Sequence, residues 1–202
     1  MTQRSIVLDI ETTGLYVNEG HRITEIGLIE LIDDKPTGKT LHFYLNPERD
    51  IPEFITNLTG LTEEFLSDKP LFVEVAQEVR DFIADSPIII TCRHDEKTGY
   101  TLDIAFLSHE FEAAGITDAI PETQWINIRK WSEEMFGHDE AKLDKILDRY
   151  QIDRTERDEN GHGALLDADL LAKAYPKVLA DYTQFKAAQP RSKPGASRPP
   201  KL

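Results

Sequence analysis

The order in which apolar segments follow one another is the feature of this sequence that most constrains its fold. Three strand-like runs come first, at residues 5–10, 23–32 and 40–45. Two further strand-like segments, at 87–91 and 123–128, then alternate with segments whose apolar residues recur at helical spacing. Turn-like links make the first three strands antiparallel neighbours, whereas strands joined through helices run parallel. We therefore predict an α/β domain with a central mixed five-stranded sheet flanked by helices.

Local signals place several boundaries within this plan. Residues 35–38, Lys-Pro-Thr-Gly, are predicted to form the turn between the second and third strands. A helix is predicted with Asp68 as its N-cap and Pro70 in its first turn. Residues 153–163 are polar and are predicted to form a loop that leads into the last helix.

The C-terminal segment differs from the rest of the chain in composition. Residues 187–202 carry four basic residues, four prolines and no acids. Such a segment has too little apolar surface to bury and is typical of a disordered tail. We predict one domain over residues 1–186, followed by this basic, Pro-rich tail.

Charge and cysteine content exclude some classes of function. The net charge of −14 argues against a protein that coats long nucleic acids by neutralising phosphates, although it allows an enzyme that grips a few nucleotides through bound cations. Cys92 is the single cysteine, so no intrachain disulfide can form. With no long apolar run and no signal-like N-terminus, we expect a cytoplasmic protein without a membrane partner.

Two acids at the end of the first strand pose a physical problem. In IVLDIETTGL (6–15), Asp9 and Glu11 sit two positions apart, so both carboxylates point to one face of the strand. Unpaired carboxylates beside a buried strand repel each other and are costly. Either a lysine or arginine pairs with them, or a hard divalent cation such as Mg²⁺ or Mn²⁺ neutralises them.

Two later stretches add candidate ligands. LDIAFL (102–107) places Asp103 at the start of a helix, and HGALLDADLL (162–171) places His162 at a loop-to-helix junction ahead of Asp167. Taken singly, Asp103 is explained as a helix-start acid, His162 as an exposed loop residue and Asp167 as a solvent-facing helix acid. Four acids and a histidine in this order favour a shared site instead.

The stretches IVLDIETTGL, LDIAFL and HGALLDADLLA resemble the motifs of the DEDDh family, the DnaQ-like 3′–5′ exonucleases. The resemblance covers about residues 5–180, and it is strongest to the proofreading exonucleases of bacterial replicative polymerases. It implies an RNase H-like fold in which Asp9, Glu11, Asp103 and Asp167 hold two Mg²⁺ or Mn²⁺ ions. It also implies that His162 is the general base.

The chemistry suits these residue types. Two cations about 3.5–4 Å apart stabilise both the attacking water and the leaving 3′ oxygen of an in-line phosphoryl displacement. A histidine in water has a pKa of about 6.5 and can accept a proton near neutral pH. The resemblance implies release of 5′-monophosphates from the 3′ end of single-stranded DNA or a frayed primer–template, as in proofreading during DNA replication. It also implies a replicative DNA polymerase subunit as partner.

The resemblance extends to substrate contacts. It implies that Thr12, Thr13 and Gly14 hold the terminal nucleotide beside His162, and that Leu15 wedges against its base. The segment around Gly60 resembles a stretch that lies near the same base. A strand-ending turn with Gly14 at positive φ explains the first of these segments equally well, and a helix start explains the second.

The second motif departs from the family pattern. Members usually carry an asparagine four residues before the aspartate, whereas here a longer loop, 92–101, precedes Asp103 and contains no asparagine. His94 either replaces a phosphate contact or lies in a solvated loop.

Two other functions stay open: an exoribonuclease or oligonucleotide-trimming enzyme of the same superfamily, and a nucleic-acid-binding module with a decayed site. The complete set of acids argues against the latter.

Overall fold

The five-stranded sheet predicted from the sequence is present in the computed structural model, which describes residues 2–95, 97–118 and 120–189. The strands are β1 (Arg4–Thr12), β2 (Ile23–Ile32), β3 (Lys35–Tyr44), β4 (Ile88–Ile90) and β5 (Trp125–Asn127). Their spatial order is β3–β2–β1–β4–β5. Because β1 pairs antiparallel with β2 and parallel with β4, the sheet is mixed and β1 lies at its centre.

Helices cover both faces of the sheet. They are α1 (Glu53–Thr59), α2 (Glu63–Leu66), α3 (Phe72–Ile83), α4 (Leu102–Ala113), α5 (Ile128–Phe136), α6 (Leu143–Arg149), α7 (Thr155–Asn160) and α8 (Ala164–Ala188). Helices α3 and α4 pack on one face against Ile6 and Leu8. Helices α5, α6 and α8 pack on the other face, which Val7 enters from β1.

This double covering explains the sequence of β1. Ile6, Val7 and Leu8 are all fully buried, so the strand begins as a continuous apolar run instead of an alternating one. Side chains at Asp9 and Glu11 share the alternation of Val7 and therefore point to the face that α8 covers. The fold thus directs both acids of β1 toward the start of α8.

The turn between β2 and β3 was predicted wrongly. Residues 35–38 belong to β3, and the turn consists of Asp33 and Asp34, with Ile32 paired to Lys35 across it. Both aspartates have positive φ, 49° and 60°. This is the geometry of a two-residue hairpin turn, which aspartate tolerates better than most residues because its short polar side chain bonds locally.

The predicted start of α3 was also wrong. The helix begins at Phe72, not after Asp68, and the Leu71 backbone N–H donates to the Glu74 carboxylate at 2.7 Å. The carbonyl of Pro70 accepts a hydrogen bond from the Asn46 backbone N–H at 3.0 Å. Because this carbonyl is bonded outside the helix, Pro70 lies before its first turn and not within it.

The predicted loop 153–163 contains the helix α7. Asp153 starts it by accepting hydrogen bonds from the Thr155 N–H at 3.0 Å and the Thr155 hydroxyl at 2.7 Å. Among the α7 side chains that the structure describes, only Arg157 is buried. A helix without an apolar face carries no hydrophobic periodicity, which is why the sequence pattern missed it.

Two further segments frame the domain. Within loop 92–101, His94 and Thr101 form an antiparallel bridge and the Asp95 N–H donates to the Tyr100 carbonyl at 2.8 Å. Helix α8 continues to Ala188, and residues 190–202 of the predicted tail lie outside the described residues. Across the described ranges, we find no helix that is both long and apolar enough to span a membrane.

Candidate active site

The four predicted acids converge at one end of the sheet. Asp9 and Glu11 lie at the carboxyl end of β1, while Asp103 occupies the first turn of α4 and Asp167 the first turn of α8. Asp103 and Asp167 are each only 3% exposed. The alternative that Asp167 is a solvent-facing helix acid is therefore wrong. We call these four residues the carboxylate cluster.

A glycine on β2 allows α8 to reach the cluster. Gly27 is the register partner of Asp9, and a Cβ at Gly27 would lie 2.5 Å from the backbone N and Cα of Leu165. Any side chain there would push the start of α8 away from the sheet. Glycine at this position thus sets the distance between the acids of β1 and Asp167.

His162 joins the cluster from the segment between α7 and α8. Its Nδ1 lies 3.5 Å from Asp167 Oδ2, and single ligand atoms of Glu11, His162 and Asp167 all lie within 4.8 Å of one another. The His162 backbone N–H donates to the Leu58 carbonyl at 3.0 Å, which ties this segment to α1. The ring keeps about a third of its surface in solvent.

Burial and crowding perturb the acids strongly. Burial raises the pKa of Glu11 from 4.5 to about 8, and the nearby charges of Asp167 and Glu25 raise it as well. Burial likewise raises the pKa of Asp103 from 3.8 to about 7. The pKa of Asp9 is raised well above its usual range by burial and by the charges of Asp167 and Asp103. Holding these carboxylates ionised at neutral pH requires added positive charge.

The geometry fits divalent cations as that added charge. Carboxylate oxygens are the ligands that Mg²⁺ and Mn²⁺ prefer. Asp103 Oδ2 is buried and has no hydrogen-bond partner among the described residues, so one hard ligand atom is unused by the protein itself. The acids are therefore positioned to bind a metal ion.

Arg157 is a site residue that sequence reasoning missed. Its side chain is 7% exposed, and its Nε donates to Asp167 Oδ1 at 2.5 Å. Its Nη1 pairs with Asp144 of α6, and its Nη2 lies 2.9 Å from His162 Nδ1. A lone arginine in a polar segment gives no signal of this role, because its partners come from three different parts of the chain.

The turn after β1 places the predicted substrate residues. The Thr12 hydroxyl donates to the Gly14 carbonyl at 2.6 Å, and the Thr13 hydroxyl lies 3.0 Å from His21 Nδ1. Gly14 does not have positive φ, so that alternative is wrong. A Cβ there would instead lie 2.3–2.5 Å from three atoms of the His21 ring. Glycine is needed because His21 packs on it, a contact that the sequence pattern did not predict.

The remaining predicted substrate residues lie on the surface around this turn. Leu15 is 46% exposed, and its carbonyl accepts a hydrogen bond from the Tyr100 hydroxyl at 2.9 Å. This bond couples the turn to loop 92–101, where His94 Nδ1 lies 2.7 Å from the Thr101 hydroxyl. Gly60 ends α1 with φ 74°, so a conformational requirement accounts for it; the structure does not test its predicted base contact.

Four clustered carboxylates beside a histidine, at the carboxyl end of the central strand of a sheet with this strand order, are typical of DEDDh-type 3′ exonucleases. Comparison with known proteins supports that class. A family model described as Exonuclease (RNase_T) matches residues 6–175, most of the chain. The chain therefore belongs to this exonuclease family.

Comparison with individual proteins gives a more specific likeness than the family model does. The chain is 42% identical over 174 residues to DNA polymerase III subunit epsilon of Rickettsia prowazekii, covering 85% of this chain and 72% of the relative. It is 37% identical over 193 residues to the subunit of the same name from Escherichia coli, covering 92% and 75%. The crystal structure of the nuclease domain of 3′hExo, a DEDDh family member, superimposes with a TM-score of 0.65 at 21% identity, covering 89% and 92%. That last likeness confirms the RNase H-like fold.

Proposed function

We propose that this chain is a metal-dependent 3′–5′ exodeoxyribonuclease that removes 3′-terminal nucleotides as 5′-monophosphates. The observation that carries the proposal is the convergence of the carboxylate cluster with His162 at the carboxyl end of β1. Four acids with one paired arginine have more negative charge than a structural ion-pair network needs. Membership of the exonuclease family supports the same reaction.

The proposed cofactors are two Mg²⁺ or Mn²⁺ ions held by Asp9, Glu11, Asp103 and Asp167. When bound, such ions supply positive charge at the attacking and leaving oxygens of the phosphoryl group. The protein holds the ligands in place: Gly27 lets α8 approach β1, and the first turn of α4 presents Asp103.

His162 is proposed to accept the proton of the attacking water at a ring nitrogen. Its backbone is fixed by the hydrogen bond to Leu58, while about a third of its side chain is open to solvent. Carboxylates engaged with cations are poor bases, so a neutral imidazole beside them is the suitable proton acceptor.

The terminal nucleotide is proposed to lie over the turn after β1. Thr12, Thr13 and Gly14 form a rigid edge because the threonine hydroxyls bond within the turn and to His21. The exposed side chain of Leu15 is proposed to contact the terminal base, and Gly60 at the end of α1 to leave room on its other side.

The biological role is proposed to be proofreading of newly made DNA together with a replicative polymerase subunit. The support is the likeness to relatives named as subunits of DNA polymerase III, at about 40% identity across most of this chain. On this proposal the enzyme meets a 3′ end that a mismatch has frayed into a single strand.

The test is a time course on a 5′-labelled primer with a mismatched 3′ terminus, run with Mg²⁺, with Mn²⁺ and with chelator. We expect a ladder that shortens one nucleotide at a time from the 3′ end, with mononucleotide 5′-monophosphates released and no cleavage in chelator. Internal cuts, or equal activity in chelator, would contradict the proposal.

Two further arms sharpen this experiment. An RNA strand of the same sequence should be degraded more slowly, and faster cleavage of RNA would favour the exoribonuclease reading instead. Asp169→Ala is a matched control for Asp167→Ala, because Asp169 lies on the same helix but its side chain is 41% exposed and paired with Lys173 at 2.5 Å. Loss of activity in Asp167→Ala alone is the expected result.

A further inference from the structure

Arg157 forms three polar contacts, and each reaches a different element of the site. Its Nε bonds to Asp167 of α8, its Nη1 to Asp144 of α6, and its Nη2 approaches His162 before α8. The guanidinium is almost fully buried. A planar fork with several fixed donors is the side chain best suited to bridge partners in this way.

The charge of Arg157 is set directly against the carboxylate cluster. Among the described residues, Asp9, Glu11 and Asp103 form no ion pair with a lysine or arginine, and Arg157 is the one arginine or lysine that pairs with Asp167. Arg157 also lies close enough to oppose the raised pKa values of Asp9 and Glu11. It is thus the protein's own positive charge within a site that otherwise repels itself.

The same contacts place Arg157 in competition with a bound cation. Asp167 Oδ1 accepts the Arg157 Nε–H, so an ion that needs this oxygen must share it with the guanidinium or displace it. Asp144 offers Arg157 an alternative partner, since its side chain is 46% exposed and lies outside the carboxylate cluster. The guanidinium can therefore leave Asp167 and still remain paired.

We infer that Arg157 is an internal counter-ion, which stabilises the metal-free site and weakens the binding of a divalent cation at Asp167. This inference rests on the proposed metal site but assigns a role to a residue outside its ligands. By holding Asp167 and lying against His162, Arg157 is also a positioning residue for the metal-free arrangement. The ordinary alternative is a structural ion pair that only supports the start of α8.

An internal counter-ion and a structural ion pair predict different changes in cation affinity when Arg157 is replaced. Removing an internal counter-ion lowers the stability of the metal-free protein, because the carboxylates lose the arginine that opposes their charge, yet it raises the affinity for a cation. Removing a structural ion pair lowers stability and leaves cation affinity unchanged or weaker, because the ligands lose their order. Lower stability of the metal-free protein together with tighter cation binding therefore identifies Arg157 as a counter-ion.

The test uses the full chain without nucleic acid. Metal-free melting temperature and Mn²⁺ dissociation constant, the latter by calorimetric titration, are measured for wild type, Arg157→Gln, Arg157→Lys and Arg154→Gln. Arg154 is the matched control: it lies just before α7, pairs with the exposed acids Asp148 and Asp158, and reaches Asp144 at the longer distance of 3.7 Å, while none of these partners belongs to the carboxylate cluster. For Arg157→Gln we expect a lower melting temperature and Mn²⁺ binding tighter by about fivefold or more.

Arg157→Lys keeps the charge but loses the fork, so its Mn²⁺ affinity should lie between those of wild type and Arg157→Gln. It also keeps the test decisive if Arg157→Gln does not fold. Arg154→Gln should bind Mn²⁺ as wild type does. Unchanged or weaker Mn²⁺ binding in both Arg157 variants would overturn the inference while leaving the exonuclease proposal intact. Absence of Mn²⁺ binding by wild type would overturn both.

Discussion

Two groups of acids in this protein are similarly buried but differ in how many positively charged or hydrogen-bonding partners they have. Glu110 and Glu25 are 2% and 3% exposed, and each has a partner of its own. Arg22 donates to both oxygens of Glu110 at 2.7 and 2.8 Å, and His42 lies 2.8 Å from Glu25. The carboxylate cluster is buried to a similar depth at Asp103 and Asp167, yet in the part of the chain that the structure describes its four acids share a single arginine.

The difference separates structural acids from site acids. A buried carboxylate with a bidentate guanidinium is neutralised inside the fold and ties two elements together, here the start of β2 and α4. Carboxylates that outnumber the nearby cations leave negative charge that the fold cannot neutralise. Such a surplus of negative charge marks a site suited to binding a positively charged ligand.

The largest expected effect sharpens this comparison by separating proton transfer from ion binding. His162→Ala removes the proposed base and leaves the carboxylate cluster in place. We predict a fall in kcat of roughly 10²–10⁴-fold with a much smaller change in KM. The rate of the variant should keep rising at high pH, because hydroxide partly replaces the base. Steady-state kinetics at several pH values measure this, and activity within about threefold of wild type at pH 7–8 would mean that another group takes the proton.

A pair of charge-removing substitutions tests whether neutralising an acid changes the stability of the protein in opposite directions in the two groups. In the metal-free protein at pH 8, Asp103→Asn should raise the melting temperature, because it removes a charge from a repelling cluster. Glu110→Gln should lower stability by about 2–3 kcal/mol, because it leaves Arg22 without its carboxylate. Thermal unfolding in chelator measures both. A fall in stability for both variants would show that Asp103 is structural.

A smaller effect is expected from pH alone. The raised pKa values of Glu11, about 8, and Asp103, about 7, mean that the folded metal-free protein holds protons that the unfolded chain releases. Their contribution to stability is fully present below about pH 4 and is lost as pH rises through 7 to 8. The metal-free melting temperature should therefore fall between pH 5 and pH 8.5. Glu11→Gln should flatten that fall, and an unchanged slope in the variant would contradict the assignment.

Much of this site follows from local sequence rules. The apolar run before Asp9 indicated a buried strand, and the spacing of Asp9 and Glu11 placed their carboxylates on one face. Asp103 was predicted at the start of a helix and Asp167 after a loop-to-helix junction, and the structure places each in the first turn of its helix. Family resemblance added the expectation that these separate segments meet.

The parts that could not be predicted depend on contacts between distant segments. Helix α7 has no apolar face, so no periodicity revealed it. Arg157 is defined by partners on α6 and α8, and Gly14 by the ring of His21, none of which a single segment encodes. Spacing rules recover the faces of elements, whereas such residues depend on how those elements pack together.

The most direct test of the central claim is the response of the melting temperature to divalent cations. Mn²⁺ at about 100 times its dissociation constant should stabilise the wild-type protein by about 2.7 kcal/mol, or about 5–10 °C for a domain of this size. Asp9→Ala and Asp167→Ala should lose that response, and Asp169→Ala should keep it. A shift of equal size in all three variants would contradict the claim that the carboxylate cluster is the metal site.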